Sequence, residues 1–209
     1  MDPSGYGTLV RVLLVLMLAM GATNPGALAP GAAPFWDSQR RTVAAHTGGV
    51  LLGMRAGAAL LWPADYGPRA LGQAPDHLLE AISRPPVFRT DRPFLKSDGD
   101  PWTVNVVGHG LFGSEIYLRS RQCGGAPLEA FAWTAGASVA WEYALEGSVK
   151  RPSAIDLAWT PIVGGLLFGE LRFRAYRWLG PDGTGFFRRI GRALVDPLGS
   201  LERAAGARC

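Results

Sequence analysis

Four long apolar segments constrain the fold of this chain more than any other feature. They cover residues 42–62, 104–121, 127–148 and 154–178, and each is long enough for a helix of about five turns or more. Residues that stop helices stand at the boundaries: Pro63 follows the first segment, Gly124-Gly125 follows the second, and Pro152 precedes the fourth. The pattern predicts an all-α fold, a compact bundle of about four apolar helices.

The stretches between these segments define the organisation of the chain. A connector over residues 63–101 contains seven prolines and one short helical candidate at 77–82. Ser153 is the predicted N-cap of the fourth helix, and Pro161 is expected to kink that helix or delay its start. A short basic helix is predicted over 185–194. We therefore divide the chain into a signal peptide or anchor (1–29), the first helix and Pro-rich connector (30–101), a helical core (102–180), and a basic C-terminal helix and tail (181–209).

The N-terminus has the pattern of an exported protein. Arg11 precedes an eleven-residue apolar run over 12–22, and small residues follow it, as in a signal peptide. The run is shorter than the ~20 residues that a spanning helix needs. Ala27-Leu28-Ala29 has the form of a cleavage site, but Pro30 follows it. An uncleaved N-terminal hydrophobic helix is the alternative interpretation.

Small residues recur every four positions along three of the apolar segments. The series are Ala45, Gly49, Gly53 and Gly57; Ala132, Gly136, Ala140 and Ala144; and Gly165 and Gly169. Such seams let helix backbones approach closely, and membrane proteins favour them, although tight water-soluble bundles use them too. Trp62 and Trp178 lie near segment ends, as tryptophans do at a membrane interface. We therefore expect a membrane-associated bundle.

The charged residues limit the partners of this bundle. They make up 18% of the chain, and the net charge of +4 includes no long Lys/Arg block, so nucleic acid is not an expected partner. The apolar segments nevertheless carry ionisable groups such as His46, Glu115 and Glu170. Each costs roughly 2.5–3.5 kcal/mol at the centre of a span unless it is paired. A compact unit on or partly in a membrane therefore fits as well as a four-span protein, with membrane lipid and other envelope proteins as partners.

Linear motifs for catalysis and metal binding are missing. The chain has three histidines and two cysteines, with no H-E-x-x-H, C-x-x-C or G-x-S-x-G sequence. Residues 108–113 match G-x-G-x-x-G, but no second strand follows to complete a dinucleotide-binding unit. Cys123 is either a bystander or a disulfide partner of Cys209. The motifs therefore predict no metal and no cofactor.

Polar side chains recur at helical spacing within the last three segments. His109, Tyr117 and Arg121 share one face of the second helix, and Glu142 and Glu146 lie four residues apart on the third. Two glutamates at this spacing repel by about 0.2–0.5 kcal/mol. They require a cation, a shared proton or a metal, and the candidate cations are Arg121, Arg119 and His109.

Three sequence blocks over residues 100–170 resemble a bacterial domain-of-unknown-function family of cell-envelope proteins. The first block contains Asn105, His109, Gly113, Tyr117 and Arg121. The second is Trp141-Glu142-Tyr143 with Glu146, and the third contains Pro152-Ser153, Asp156-Leu157 and Thr160-Pro161 and ends in Gly169-Glu170. Gly110 and Ile116 depart from the family pattern. The resemblance implies a location in the cell envelope and a helical architecture, and it implies no particular activity.

Two functions remain open for this polar constellation. A buried network that fixes helix register would comprise Asn105, His109, Tyr117, Arg121, Glu142, Glu146, Asp156, Thr160 and Glu170, and it predicts a structural or interaction protein of the bacterial envelope. The alternative is an envelope hydrolase or transferase on a lipid-type substrate, with His109, Glu142, Glu146 and Asp156 as candidate catalytic residues. A solvent-lined pocket that reaches Glu142 and His109 would favour the enzyme. A closed core with every polar group paired would favour the network.

Overall fold

Helices joined by short connections form the fold in this computed structural model, which describes residues 37–180, 185–207 and 209. In these ranges there is one isolated parallel bridge, between Val87 and Ser153, and no strand. The all-α prediction is confirmed. The predicted signal peptide or anchor lies outside the described residues.

Nine α-helices are present in the described ranges. They are α1 (Ser38–Leu61), α2 (Pro63–Tyr66), α3 (Ala74–Ser83), α4 (His109–Gln122), α5 (Pro127–Ala140), α6 (Ala154–Trp159), α7 (Glu170–Leu179), α8 (Phe186–Val195) and α9 (Pro197–Ala204). The helix boundaries follow the proline and glycine signals: Pro127 begins α5 at a position where its missing N–H costs nothing, and Ser153 caps α6 by accepting a bond from the N–H of Asp156.

Three segments of π-helix interrupt the long helices. They are π1 (Val104–Gly108), which leads into α4; π2 (Trp141–Leu145), which follows α5; and π3 (Thr160–Gly169), which joins α6 to α7. Pro161 has no N–H to donate within a helix, and the hydrogen-bond pattern changes at this point. The helix predicted over residues 154–178 starts at Ala154, so Pro161 does not delay its start. The helix changes to π-helix at Thr160, next to this proline. Because π-helix is rare and is frequent at functional sites, three such segments mark a region of interest.

Helix α4 lies at the centre of the fold. All residues from 112 to 120 are buried, and α4 packs against π3, α5, α1 and α7. Two glycines allow its closest approaches: a Cβ on Gly113 would lie 2.1 Å from the carbonyl oxygen of Thr160, and one on Gly169 would lie 2.6 Å from Cβ of Tyr117. Backbone contact between α4 and π3 thus depends on glycine.

The predicted seams of small residues pack only in part. Gly165 and Gly169 face neighbouring side chains, but a Cβ on Gly49, Gly53 or Gly57 would contact nothing in the described part of the chain, and the same holds for Gly136. Helix α1 instead packs Val50, Leu51 and Met54 against the core. A glycine stripe has little apolar area to bury, so the larger side chains determine which face of α1 turns inward.

The C-terminal tail contains a helix that the sequence analysis did not predict. Asp196 caps α9 by accepting a 3.0 Å bond from the N–H of Gly199, and Pro197 begins the helix. Glu202 of α9 pairs with His46 (2.7 Å) and with Arg119, so charges that the apolar segments carry are compensated inside the fold. A disulfide joins Cys123 to Cys209.

The Pro-rich connector returns to the core just before π1. The N–H of Val87 donates to Pro152 (2.7 Å), and the N–H of Ala154 donates to Val87 (3.1 Å). Farther along, the Asn105 side chain donates to the carbonyl of Leu95 (3.2 Å) and to the carboxylate of Asp98 (2.9 Å). These bonds bring the acidic end of the connector next to the helical core.

Candidate functional site

Three side chains from three different helical segments converge inside the core. His109 begins α4, Glu142 lies in π2, and Asp156 lies in α6 shortly before π3. The imidazole Nε2 of His109 is 3.5 Å from Oδ2 of Asp156 and 4.0 Å from Oε1 of Glu142. His109 is 3% exposed, and both acids are fully buried. One nitrogen and two oxygens within 4.8 Å of one another have the composition and spacing of a metal-ligand set.

Hydrogen bonds position the side chains of His109 and Glu142 and the backbone of Asp156. The Nδ1 of His109 lies 3.0 Å from the hydroxyl oxygen of Thr160. With the proton on Nδ1, the ring donates to Thr160 and presents the lone pair of Nε2 to the two acids. One oxygen of Glu142 accepts a 2.6 Å bond from the N–H of Ser153. Ser138 donates to the backbone carbonyl of Asp156 (3.2 Å).

Three carboxylate oxygens in this cluster lack a hydrogen-bond partner among the described residues. They are Oε1 of Glu142 and both side-chain oxygens of Asp156. Buried polar atoms are nearly always hydrogen-bonded, and each exception requires an explanation. Because the unpartnered atoms belong to neighbouring acids that face one imidazole, a cation or a proton between them is the simplest explanation.

Burial shifts the pKa of all three groups towards their neutral forms. It lowers the pKa of His109 to about 4. Burial, followed by the charge of Asp98, raises the pKa of Asp156 to about 8. Burial and the charge of Glu146 raise the pKa of Glu142 well above its usual value. At neutral pH the imidazole is therefore uncharged, and the cluster retains protons that a bound cation would displace.

Asp98 and Asp100 form a second acidic group around the same aspartate. Ligand oxygens of Asp98, Asp100 and Asp156 also lie within 4.8 Å of one another. Burial alone would raise the pKa of Asp98, but hydrogen bonds from Asn105, from the N–H of Asp100 and from the side chains of Ser153 and Asp156 outweigh it and lower the pKa. Asp98 is thus a carboxylate held in its charged form beside Asp156.

Glu146 belongs to a separate network in which its hydrogen bonds are satisfied. Its carboxylate accepts bonds from the hydroxyl of Tyr66 (2.5 Å) and the indole N–H of Trp141 (3.1 Å), and it pairs with Lys150 (2.9 Å). Lys150 also contacts Asp100 at 2.5 Å. Burial acts to lower the pKa of Lys150, but these acids outweigh it and raise the pKa. Both oxygens of the Glu146 carboxylate are therefore paired.

A cleft of about 620 Å³ opens beside the cluster. Its walls are mainly apolar and include Met54, Leu61, Trp62, Val104 and Trp141. Its polar lining residues include Asp65, Tyr66, Asp100, His109 and Glu146. An enzyme would be favoured by a pocket that reaches both Glu142 and His109. The cleft reaches His109 but not Glu142, so it meets half of this criterion.

The nine residues predicted to form one network divide between two groups, apart from Glu146, which bonds to Tyr66, Trp141 and Lys150. The first group contains Asn105, His109, Glu142, Asp156 and Thr160. The second contains Tyr117, Arg121 and Glu170: the hydroxyl of Tyr117 donates to Glu170 at 3.2 Å, and Nε of Arg121 does so at 3.1 Å. Arg119 pairs with Glu202. Neither candidate arginine therefore compensates Glu142 or Glu146, and Lys150 pairs with Glu146 instead.

Sequence reasoning missed the part of the site that comes from outside the three blocks. Asp98, Asp100, Tyr66 and Lys150 were not among the candidates. The sequence signal for the first two is weak: two aspartates shortly before an apolar segment that carries a histidine. Linear metal motifs also could not show the cluster, because His109, Glu142 and Asp156 come from three separate segments.

Comparison with protein families finds one match, and comparisons with curated proteins and with solved structures find none. The matching family is described as a domain of unknown function (DUF3943), and its model covers residues 94–198, half of the 209-residue chain. The acids Asp98 and Asp100, the His109–Glu142–Asp156 cluster and all three π segments lie within the matched region. The chain therefore belongs to the DUF3943 family.

Proposed function

We propose that His109, Glu142 and Asp156 bind a divalent metal ion, and that the protein is a metal-dependent hydrolase acting on a lipid-type substrate in the adjoining cleft. The observation that carries this proposal is the set of buried carboxylate oxygens on Glu142 and Asp156 that lack partners in the described chain and face a neutral imidazole. Nitrogen and carboxylate ligands together suit zinc and manganese.

The Glu146 network supports the metal-binding proposal over a purely structural role for the cluster. It lies in the same core and shows how this fold compensates a buried acid: Tyr66, Trp141 and Lys150 together occupy both carboxylate oxygens. Among the basic groups of the described residues, Glu142 and Asp156 have only the neutral imidazole of His109 beside them, and the N–H of Ser153 satisfies just one oxygen of Glu142. A network that only fixed helix register would be expected to pair these acids as well, because a partly satisfied polar network is less stable than an apolar core.

The adjoining surface supports a reaction class and a substrate class. A metal held by three protein ligands keeps a position for water and lowers the pKa of that water, which is the basis of metal-dependent hydrolysis. The side of the cleft formed by Leu61, Trp62 and Val104 is apolar, whereas Tyr66 and Asp100 are polar. This arrangement fits a molecule with an acyl chain and a polar ester group.

Metal binding is tested directly on the purified protein. After removal of metal with a chelator, isothermal titration with Zn²⁺ or Mn²⁺ should show binding in the wild type. His109→Ala, Glu142→Gln and Asp156→Asn should each weaken it at least tenfold. Glu170→Gln is the matched control, because Glu170 is a partly buried glutamate in the second polar group. Wild-type protein that binds neither ion, together with variants that unfold at lower temperature, would support the structural network instead.

Hydrolysis is tested with chromogenic acyl esters and phosphodiesters of increasing chain length. Activity should require added metal, be lost with the chelator, and be lost in Glu142→Gln. Activity that persists in the chelated protein would contradict metal-dependent hydrolysis, even if the protein binds metal.

We also propose that the protein works at the membrane surface of the bacterial envelope, where other envelope proteins could contact it. Helix α8 exposes Phe186, Phe187 and Leu194 together with Arg188 and Arg189, as amphipathic helices at anionic membranes do. The N-terminal apolar run and the Cys123–Cys209 disulfide support export to an oxidising compartment. One helix in the described ranges, Ala154–Leu179, has the length and composition to cross a membrane, which is weak support for integration.

Vesicle sedimentation tests the surface location. The protein should sediment with vesicles that contain phosphatidylglycerol and much less with pure phosphatidylcholine. Replacing Phe186 and Phe187 by serine should reduce binding at least fivefold, whereas Leu79→Ser, which changes an exposed leucine on α3, should leave it unchanged. Equal binding by both variants would exclude α8 as the membrane contact.

A further inference from the structure

Asp156 belongs to two candidate ligand groups at once. One contains His109 and Glu142, and the other contains Asp98 and Asp100. Both side-chain oxygens of Asp156 lack a hydrogen-bond partner in the described part of the chain, and the residue is fully buried. A single cation beside His109 and Glu142 needs only one oxygen of Asp156. It does not explain why the second oxygen also lacks a partner.

We propose that Asp156 bridges two divalent cations, the first bound by His109 and Glu142 and the second by Asp98 and Asp100. This inference rests on the proposed function, because both cations share Asp156. It adds a second metal site from the connector, a part of the chain that no sequence motif marks.

Asp98 is positioned as a metal ligand by bonds on one side of its carboxylate. Its Oδ1 accepts from the Asn105 side chain at 2.9 Å and from the N–H of Asp100 at 3.0 Å. Its Oδ2 is buried and accepts no N–H bond among the described residues, and the polar side chains of Ser153 and Asp156 also approach this carboxylate. One oxygen thus fixes the carboxylate while the other can bind a cation, as is common for ligands that a neighbouring group orients.

The local charges favour two cations over one. Five carboxyl groups surround the site: Asp98, Asp100, Glu142, Glu146 and Asp156. Within the described ranges, the cationic side chain that contacts these acids is Lys150, which pairs with Asp100 and Glu146. Once bound metal displaces the protons of Glu142 and Asp156, five carboxylates and Lys150 carry a net charge of about −4, which two divalent cations neutralise and one does not. If Asp100 binds a cation in place of Lys150, Lys150 still has its contact with Glu146 at 2.9 Å.

The second cation would also connect the buried cluster to the cleft. Asp100 lines the cleft, whereas Glu142 and Asp156 do not. A cation at Asp98 and Asp100 would therefore lie beside the cleft, which His109 of the first site also lines. Two neighbouring cations stabilise the attacking and leaving oxygens of a displacement at a phosphoryl or acyl group. The substrate class that fits is an apolar chain bearing a phosphate ester or carboxylic ester.

Manganese is the suitable probe for both sites. The second site offers only oxygen ligands, which suit Mg²⁺, Ca²⁺ and Mn²⁺, and the first adds an imidazole, which manganese also accepts. Mn²⁺ is paramagnetic, so two ions that share a carboxylate give a spin-coupled spectrum that isolated ions do not give.

The experiment counts Mn²⁺ ions per chain by equilibrium dialysis and records the electron paramagnetic resonance spectrum of the same samples. Wild-type protein should bind two ions with a spin-coupled spectrum. Asp98→Asn and Glu142→Gln should each bind one ion with an uncoupled spectrum, and Asp156→Asn should lose both at the same Mn²⁺ concentration. Asp65→Asn, which changes an exposed acid of the same cleft, should retain two.

The outcomes separate this inference from the proposed function. One ion in the wild type, lost in Glu142→Gln and retained in Asp98→Asn, overturns the second site and leaves the first intact. Two ions that persist in Asp98→Asn, or two uncoupled ions in the wild type, also overturn the bridge. No bound ion in the wild type overturns both proposals. Circular dichroism of each variant confirms folding, and the wild-type spectrum tests the bridge independently of any variant.

Discussion

The imidazole of His109 and the carboxylate of Asp156 lie 3.5 Å apart, at a point where π-helix adjoins the α-helices that carry the site. Segment π1 ends immediately before His109, π2 contains Glu142, and π3 begins at Thr160, whose hydroxyl orients the histidine. A π turn redirects the side chains that follow it, and such turns are frequent at functional sites. The three segments together turn polar side chains of three apolar helices towards one point.

The metal-free protein should lose stability as the pH rises from 6.5 to 8. Burial raises the pKa of Asp156 to about 8, against about 3.9 in an unfolded chain. The native state therefore retains a proton that the unfolded state releases, and this contribution to stability is lost as the pH rises through the folded pKa. His109, whose pKa falls to about 4, has the opposite effect only below pH 6.5. Thermal unfolding in chelator at several pH values measures the change.

Asp156→Asn is the test of the origin of this pH dependence. An amide does not ionise, so the variant should unfold at a higher temperature than the wild type at pH 8 and show a flatter pH profile. Mn²⁺ should raise the wild-type midpoint most at high pH, because the ligands bind metal in their deprotonated forms. A lower midpoint for Asp156→Asn throughout this range would point to a structural role for the aspartate.

The positions of the helices could be predicted from local signals. Gly124-Gly125 ends α4, Pro127 begins α5 and Ser153 caps α6, and each acts within one helical turn. The same kind of signal, Asp196 followed by Pro197, marks the start of α9 within the predicted C-terminal tail. Local backbone chemistry therefore marks where these helices begin and end, but it does not mark the three π segments of the described residues.

The site could be predicted only in part, because its composition depends on contacts between distant segments. Helical spacing placed His109, Tyr117 and Arg121 on one face. However, His109 faces Thr160 and Asp156, whereas Tyr117 and Arg121 face Glu170. The position of Asp98 depends on how the connector runs, which bonds such as that from Val87 to Pro152 fix. No periodicity in the sequence carries that information.

Thr160→Val should weaken Mn²⁺ binding roughly 10- to 100-fold, the range found when a group that orients a metal-binding histidine is removed. Valine has the shape of threonine but lacks the hydroxyl that lies 3.0 Å from Nδ1 of His109. The matched control is Thr134→Val, because Thr134 is equally buried and bonds only within its own helix, to the carbonyl of Ala130 (2.8 Å). Equal Mn²⁺ affinities for the two variants, measured by titration calorimetry, would show that Thr160 does not orient the histidine.

Gly113→Ala should destabilise the protein and disturb the site. The new Cβ would lie 2.1 Å from the backbone oxygen of Thr160, so α4 and π3 must move apart. Overpacking of this kind costs about 1–3 kcal/mol, which corresponds to a fall of roughly 2–12 °C in the unfolding midpoint of a chain of this size. Gly49→Ala is the control: its Cβ contacts nothing in the described residues, and better helix propensity should stabilise α1 by about 0.5–1 kcal/mol. Similar midpoint shifts for the two variants would contradict the close packing of α4 on π3.

Removing the disulfide should lower stability without changing metal binding. Cys123 and Cys209 close a loop across 86 positions of sequence, and a native disulfide typically contributes about 2–4 kcal/mol, largely by restricting the unfolded chain. The double variant Cys123→Ser/Cys209→Ser should therefore unfold at a midpoint roughly 4–16 °C lower. Cys123 follows the last turn of α4 and His109 begins it, so about 20 Å of helix separates the disulfide from the metal ligands, and the Mn²⁺ affinity should be unchanged.

In native protein both cysteines should resist maleimide until a reductant is added. Labelling without reductant, or an unchanged midpoint in the double variant, would show that the pair does not stabilise the fold.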